Sequence, residues 1–332
     1  MLDWLSKTYG VFVSLRAFFY KIGLCKGASL PGTVISVGNI EVGGTGKTPI
    51  VIEIARYLIS KNHTVAILTR GYGTKIGKDQ TLILKNGQLV WERNRKNGPL
   101  PDEALLQSYK IPEAYIIVSP DRLRSALWFL EHTGISPSHW ILDDGFQHFR
   151  IKRNLDLLLL DARTSLLESH LLPRGRLREP PYAIHRADAV IWTYVTPKTF
   201  NTLEEKLLQP VFSSFSSLGE IADLEGRPFS SKNGPVLVVC GIAKPEFFVR
   251  MLEEKGIQVQ EKKFFRDHEQ IPWSVLNQKY KDKGSILTTE KDFYRDEKSL
   301  RSLDIPVFIA KLETRFVEAN TLSQLINSIA HR

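Results

Sequence analysis

Cysteine and methionine are scarce, two of each in 332 residues. Cys25 and Cys240 stand far apart and belong to no C-x-x-C pair or Cys/His cluster, which argues against a disulfide framework or a structural zinc site. The chain also lacks an uninterrupted apolar run of membrane-spanning length. It has no internal repeat and no low-complexity tract. Acidic residues are the minority, 36 against 45 basic ones, for a net charge of +9. A positive field favours an anionic partner: a nucleotide, a phosphorylated metabolite, a nucleic acid or an acidic membrane surface. Helix-turn-helix, zinc-finger and RNA-binding signatures are all missing, so nucleic acid is not expected.

What is present begins with an amphipathic segment. In "MLDWLSKTYGVFVSLRAFFYKIGLCKG", Trp4, Leu5, Val11, Phe12, Leu15, Phe18, Phe19 and Ile22 fall on one side of a helical wheel, within an arc of roughly 140°. Arg16 interrupts the apolar run and no small-x-small cleavage site follows, so the segment does not read as a signal peptide. Two readings stay open from the wheel alone: a helix packed on its own domain, or a helix lying in a membrane interface.

Beyond it, β-rich runs alternate with helical stretches. Strands are predicted at 33–39, 64–73, 114–120, 140–146, 155–162 and 187–195, with helices at 48–61 and 121–133 between them. Several of these strands are almost wholly apolar, as parallel strands covered on both faces must be. The pattern predicts a doubly wound α/β domain. Two alternating runs around Asn86-Gly87, at 81–92, predict a β-hairpin inserted as a decoration. A Ser-, Gly- and Pro-rich stretch at 206–233 reads as a connector. A second, smaller α/β set follows: strands at 235–242, 257–265, 284–292 and 306–312, a helix at 245–256, and a terminal helix at 318–331. The expected organisation is an N-terminal helix (1–26), a phosphate-loop domain (27–205), the connector, and a C-terminal α/β domain (234–332).

The stretch "SVGNIEVGGTGKTPIV" carries the chemistry. It sits between a predicted strand and a predicted helix, the context a nucleotide phosphate loop requires. The usual pattern, G-x-x-x-x-G-K-[ST], is broken at its first position, where Glu41 replaces glycine. The rest is intact. Gly43, Gly44, Thr45 and Gly46 offer backbone N–H groups to phosphate oxygens at a helix N-terminus. Lys47 is placed to reach the β- and γ-phosphates and Thr48 to ligate Mg²⁺. An acidic partner is supplied by "WILDDGFQH", where an apolar run ends in Asp143-Asp144. Adjacent strand residues point to opposite faces, so one carboxylate is expected on the metal or its water shell and the other on a neighbouring loop or the substrate.

The segments "VGNIEVGGTGKTP", "RGYG", "DDGFQH" followed by "NLDLLLLD", "LLPRGRLREP", "RADAVI", "GIAKPEFF", "FRDH" and "TTEKDF" occur together and in this order. The set resembles the tetraacyldisaccharide 4′-kinases of Gram-negative lipid A biosynthesis, from about residue 10 to about residue 315. That family's phosphate loop also lacks the first glycine. The resemblance implies a P-loop NTPase-like fold with a second, smaller α/β domain. It implies transfer of the γ-phosphate of Mg·ATP to the 4′-hydroxyl of tetraacyldisaccharide 1-phosphate, giving lipid IVA. It further implies work at the cytoplasmic face of the inner membrane, with the N-terminal helix in the interface. A tetraacylated substrate leaves lipid at a cost of about 0.8 kcal/mol per exposed CH₂, so the enzyme must go to it.

By the same resemblance the base maps to Asp102 in "PDEALL", assisted by His268 in "FRDH". Pro101 and Ala104 depart from the family's pattern around that aspartate, and Asp102 also suits a helix N-cap. Glu179 carries over as a magnesium candidate, against an alternative ion pair with Arg176 or Arg178. Arg174, Arg176 and Arg178, spaced by two, share one face of an extended loop and are candidates for the substrate's anionic phosphate. Asn39, Tyr72, Gln147 and His148 are site-lining candidates. The competing reading is a P-loop GTPase or ATPase switch without a lipid acceptor. Because Lys291 and Asp292 are adjacent, "TTEKDF" is not a guanine-specificity motif, which favours ATP.

Overall fold

The computed structural model describes every residue except 1, 72–73, 75, 96–97, 165–168, 197–206, 231–232, 267–268, 282–283, 319 and 331–332. Two compact units emerge. One comprises Met1–Gly98, Gln107–Phe215 and Thr314–Arg332; the other comprises Pro99–Leu106 and Ser216–Glu313. The segment around Asp102 thus groups with the second unit rather than with the phosphate-loop residues.

The first unit opens with helix α1 (Leu2–Lys21), then β1 (Thr33–Asn39), α2 (Lys47–Ser60), β2 (Val65–Thr69), β3 (Thr81–Lys85) and β4 (Gln88–Arg93). Helix α3 (Asp102–Lys110), which starts in the second unit, leads to β5 (Tyr115–Val118), α4 (Arg122–Thr133), β6 (His139–Asp143), β7 (Leu155–Asp161), β8 (Ala189–Thr193) and the start of β9 (Val211–Asp223). The strand order is β9-β8-β7-β1-β6-β2-β5-β3-β4. Pairing is parallel from β9 to β5 and antiparallel where β3 meets β5 and β4. β1 lies between β6 and β7, the point where the chain order reverses and where open α/β sheets bind ligands beyond the strands' carboxyl ends.

Local sequence explains these elements. α2 buries Ile50, Val51, Ile54, Ala55 and Leu58, one stripe at helical spacing. α4 starts where Asp121 accepts a bond from the Arg124 N–H at 3.2 Å and stops at Gly134, whose φ is +68°. Beneath α4, Phe129 meets Trp140 edge-on, with ring centroids 6.1 Å apart, inside a cluster that includes Val34, Leu68 and Leu142.

The second unit holds the end of β9, then β10 (Val236–Cys240), α5 (Pro245–Glu254), β11 (Val259–Phe264), α6 (Trp273–Tyr280), β12 (Ser285–Thr289), α7 (Glu290–Arg295), α8 (Glu297–Arg301) and most of β13 (Val307–Phe316). Its order is β11-β10-β12-β13-β9, parallel through the first four. The terminal helix α9 (Thr321–Ala330) belongs to the first unit. Cys240 lies in this second core, where burial pushes its thiol up to about 12, while Cys25 is exposed.

Three expectations change. The hairpin is no decoration: β3 pairs with β5 and extends the sheet. Within the expected connector runs β9, whose Ser213, Ser214, Leu218 and Ile221 are buried. The strand expected over 284–292 ends at Thr289, whose hydroxyl caps α7 by accepting the Asp292 N–H at 3.3 Å.

α1 reverses the simplest expectation for an amphipathic helix. Its apolar residues face outward: Trp4 and Phe12 are 69% and 68% exposed, with Val11, Leu15, Phe18 and Ile22 beside them. The packed side is small and polar. Ser6 and Gly10 are buried, Ser6 Oγ donates to the Leu171 carbonyl at 2.9 Å, Tyr9 donates to the Arg178 carbonyl at 3.0 Å, and Ser14 bonds Tyr182. Among the described residues no helix is long and apolar enough to cross a membrane.

Candidate active site

β1 delivers the loop to α2. Gly38 is a steric requirement, since a Cβ there would lie 2.5 Å from the Phe146 backbone nitrogen. Asn39 Nδ2 then donates to the Glu41 carbonyl at 2.8 Å, and Glu41, only 3% exposed, accepts from Thr164 Oγ1 at 3.3 and 3.4 Å. The position that usually holds glycine is thus a buried anchor. The loop closes at Gly46, whose φ of +76° is left-handed and suits glycine, and α2 starts at Lys47. From the β7–β8 side Thr193 Oγ1 donates to the Thr45 carbonyl at 2.9 Å. Tyr194 packs beside Gly46, with Arg163 stacked 3.5 Å from its ring centroid.

Lys47 Nζ lies 3.2 Å from Asn39 Oδ1 and 3.3 Å from Asp144 Oδ1. Asp144 has φ +55°, so the chain curls at the end of β6 and the two aspartates part company. The Asp144 carboxylate turns to Lys47 and to Arg178, whose Nη1 donates at 2.8 and 3.0 Å. Asp143 instead accepts from Gln107 Nε2 at 2.8 Å, while Arg122 Nη1 donates to both aspartate carbonyls at 2.7 and 3.0 Å.

Glu179, 1% exposed, pairs with Arg186 and accepts from Gln147 Nε2 at 2.9 Å; the same amide also donates to the Asn39 carbonyl at 2.9 Å. The ion pair weighed as the alternative to a metal role, with Arg176 or Arg178, is not the one formed. Asp143, Asp144 and Glu179 are each drawn to a different donor, and among the described residues no three acidic, His or Cys side chains converge on a metal. Of the three, Asp144 is the carboxylate that faces Lys47, and Mg²⁺ takes one or two carboxylates and completes its shell with phosphate and water.

The three arginines also diverge. Arg176 donates to the Val42 carbonyl at 2.9 Å, Arg178 binds Asp144, and Arg174 pairs with Asp3 of α1. Main-chain bonds from Val42 N to Arg176 O and from Arg178 N to Ile40 O, 2.8 and 2.7 Å, stitch this segment to the phosphate loop. Beside it, α1, Leu171, Pro180 and Tyr182 wall an apolar groove of about 570 Å³. His148 is uncharged: burial, then Arg122, Arg150 and Arg153, push it down to about 3.

In the second unit other motifs meet. Asp102 is the first residue of α3; its Oδ1 accepts the Glu103 N–H at 2.9 Å and its Oδ2 accepts Arg295 Nε at 3.1 Å. Glu103 pairs with Lys291 at 3.3 Å, and Asp292 accepts the Gly241 N–H at 3.1 and 3.2 Å. Tyr72 and His268 lie outside the described residues. Gln107, Arg122 and Arg295 went unnoticed in the sequence because none sits in a recognisable spacing, and Arg186, though it opens the motif "RADAVI", was given no role there.

Residues 1–331 match the family model described as tetraacyldisaccharide-1-P 4′-kinase. Proteins named tetraacyldisaccharide 4′-kinase from Geobacter metallireducens and Chlorobium limicola are each 33% identical, over 99% and 97% of this chain and 97% and 95% of their own length. Among solved structures, LpxK from Aquifex aeolicus in complex with ATP superposes with a TM-score of 0.76 at 31% identity, covering 98% of this chain and 97% of that one.

Proposed function

The chain belongs to the tetraacyldisaccharide-1-P 4′-kinase family, and from that premise we propose how its residues divide the work. The reaction is the family's: the γ-phosphate of ATP passes to the 4′-hydroxyl of tetraacyldisaccharide 1-phosphate, a lipid A precursor, giving lipid IVA and ADP. Likeness over nearly the full length to lipid kinases leaves the GTPase or ATPase switch reading without support.

The observation that carries the site assignment is the Lys47–Asp144 pair, 3.3 Å apart at the closing turn of the glycine loop. N–H groups from Gly43 to Thr48 hold the phosphates, and Lys47 neutralises charge on the β- and γ-oxygens. Bound Mg²⁺ supplies further charge neutralisation on the transferred group. Asp144 and Thr48 hold it. Asp143 holds Gln107, and Glu179 enters as the buried anchor of Arg186 and Gln147 beside Asn39 rather than as a direct ligand. Asp102 accepts the 4′-hydroxyl proton, with His268 assisting, as the oxygen attacks the γ-phosphorus and the bond to ADP breaks. Arg174, at the foot of α1, meets the substrate's anionic phosphate, while Arg176 and Arg178 keep the loop in shape.

The outward apolar face of α1 lies in the membrane interface at the cytoplasmic side of the inner membrane, and the adjoining groove takes an acyl chain. The phosphate loop and the metal residues belong to the first unit and Asp102 to the second, whereas the domain plan expected from the sequence put Asp102 within 27–205.

The test is radiolabelled γ-phosphate transfer from Mg·ATP to tetraacyldisaccharide 1-phosphate in mixed micelles, with Lys47→Ala and Asp102→Ala beside the parent. Lipid-dependent transfer that both variants lose supports the assignment. A fully active Asp102→Ala removes that residue from the chemistry, and acceptor-independent hydrolysis in the parent would return the switch reading.

A further inference from the structure

One side chain in the second unit, Arg295, gathers motifs that are far apart in sequence. Its Nε donates to Asp102 Oδ2 at 3.1 Å, its Nη1 to the Glu269 carbonyl at 3.1 Å and its Nη2 to the Gly241 carbonyl at 3.4 Å. Asp292 backs the guanidinium at 3.3 Å. Asp292 is itself fixed by the Gly241 N–H and by Thr289 Oγ1 at 2.8 Å. The Asp102 and Arg295 side chains are 7% and 16% exposed, so solvent screens their attraction far less than it would on the surface.

These contacts exploit a property of arginine that lysine lacks. A planar fork satisfies several acceptors in fixed directions, whereas an ammonium is a single point of charge. The acceptors come from "PDEALL", "GIAKP", "FRDHE" and "TTEKDF", so one fork accounts for the company these motifs keep. Arg295 also grips the carbonyl of the residue that follows His268 in sequence. With Oδ1 on the Glu103 N–H and Oδ2 on Arg295, each carboxylate oxygen of Asp102 is directed.

We propose that Arg295 is a positioning residue for phosphoryl transfer, holding the Asp102 carboxylate in one orientation. The inference rests on the assignment of Asp102 as proton acceptor. Arg295 touches neither substrate nor nucleotide in this account; the effect read by the experiment is the one it exerts through Asp102. Misplacing a catalytic group by about 1 Å costs on the order of 100-fold in rate, and that is the scale of effect available here.

A double-mutant cycle separates this role from a merely structural one. Steady-state kcat, and KM for ATP and for lipid, are measured for the parent, Arg295→Gln, Arg295→Lys, Asp102→Asn and the Asp102→Asn/Arg295→Gln pair, each with a thermal melt. Asp102→Asn should lower kcat about 10²- to 10⁴-fold. Arg295→Gln should lower it roughly 10- to 100-fold with KM for ATP unchanged, and Arg295→Lys should recover part of that loss. The double variant should be no slower than Asp102→Asn alone. A double variant slower by the full factor of Arg295→Gln overturns the inference and leaves Asp102 in place. An Asp102→Asn enzyme at the parental rate removes the Asp102 assignment itself, and the inference with it. If Arg295→Gln does not fold, the same cycle is run with Arg295→Lys, where additivity is again the contrary result.

Discussion

His148 lies among Arg122, Arg150 and Arg153, and its neutrality shows how strongly single side chains in the first unit are shaped by their surroundings. Burial pushes it down to about 3, and burial with nearby His63 pushes His139 down to about 4, both from an ordinary 6.5. The folded chain therefore binds fewer protons than the unfolded one between those values and 6.5, so stability is lost as pH falls through this window. Asp156 works the other way: burial raises it from 3.8 to about 6, so the folded state keeps a proton that the unfolded chain has released. In this window the two histidines favour loss of stability on acidification, while Asp156 and Asp292, both raised by burial, oppose it. Urea denaturation at pH 7 and pH 5 should show a smaller difference between the two conditions for His148→Asn than for the parent; an unchanged difference would mean that His148 is not kept neutral. At this scale the sequence exposed the chemistry-bearing partners but not their holders. Lys47, Asp144 and the glycines stand in a motif, whereas Arg122 and Arg295 become visible only when folding brings distant segments together.

Among elements, α1 teaches the most about what a sequence conceals. The helical wheel located its apolar face correctly but could not say which face would be packed. The answer was present in Ser6, Gly10 and Ser14, spaced by four, which let the helix sit close on the Leu171–Tyr182 segment through hydrogen bonds rather than through its aromatics. A Phe12→Glu/Phe19→Glu variant should melt like the parent, since both rings are exposed. It should bind lipid vesicles at least tenfold more weakly, each buried phenylalanine being worth about 1.5–3 kcal/mol. Undiminished vesicle sedimentation would count against α1 as the membrane contact. β9 was hidden for a different reason, because its serines resemble a linker until a neighbouring strand buries them. The parallel strands around β1 were legible because burial on both faces leaves little choice but Val, Ile and Leu.

For the whole molecule, the excess of nine positive charges is a property no single site explains. Binding to vesicles rich in anionic lipid should weaken when salt is raised from about 0.1 to 0.5 M, because the Debye length falls well below about 10 Å over that range. Binding to neutral vesicles, carried by apolar contact, should change little. Equal salt sensitivity on both surfaces would show that charge plays no part in recruitment. The two-unit α/β plan could be read from the order of strand and helix signals, but the grouping of residues 99–106 with the second unit could not, since nothing local marks that segment as a visitor. β4 and β11, at the outer ends of their strand orders, add a consequence of their own. β4 ends in Glu92 and Arg93, and β11 carries Glu261, Lys262 and Lys263. An enzyme confined to a lipid surface meets its own copies far more often than one free in solution, and an open strand invites a second chain to pair with it. On the lipid surface proposed for this enzyme, charged margins would let copies crowd together in two dimensions without zipping into fibrils.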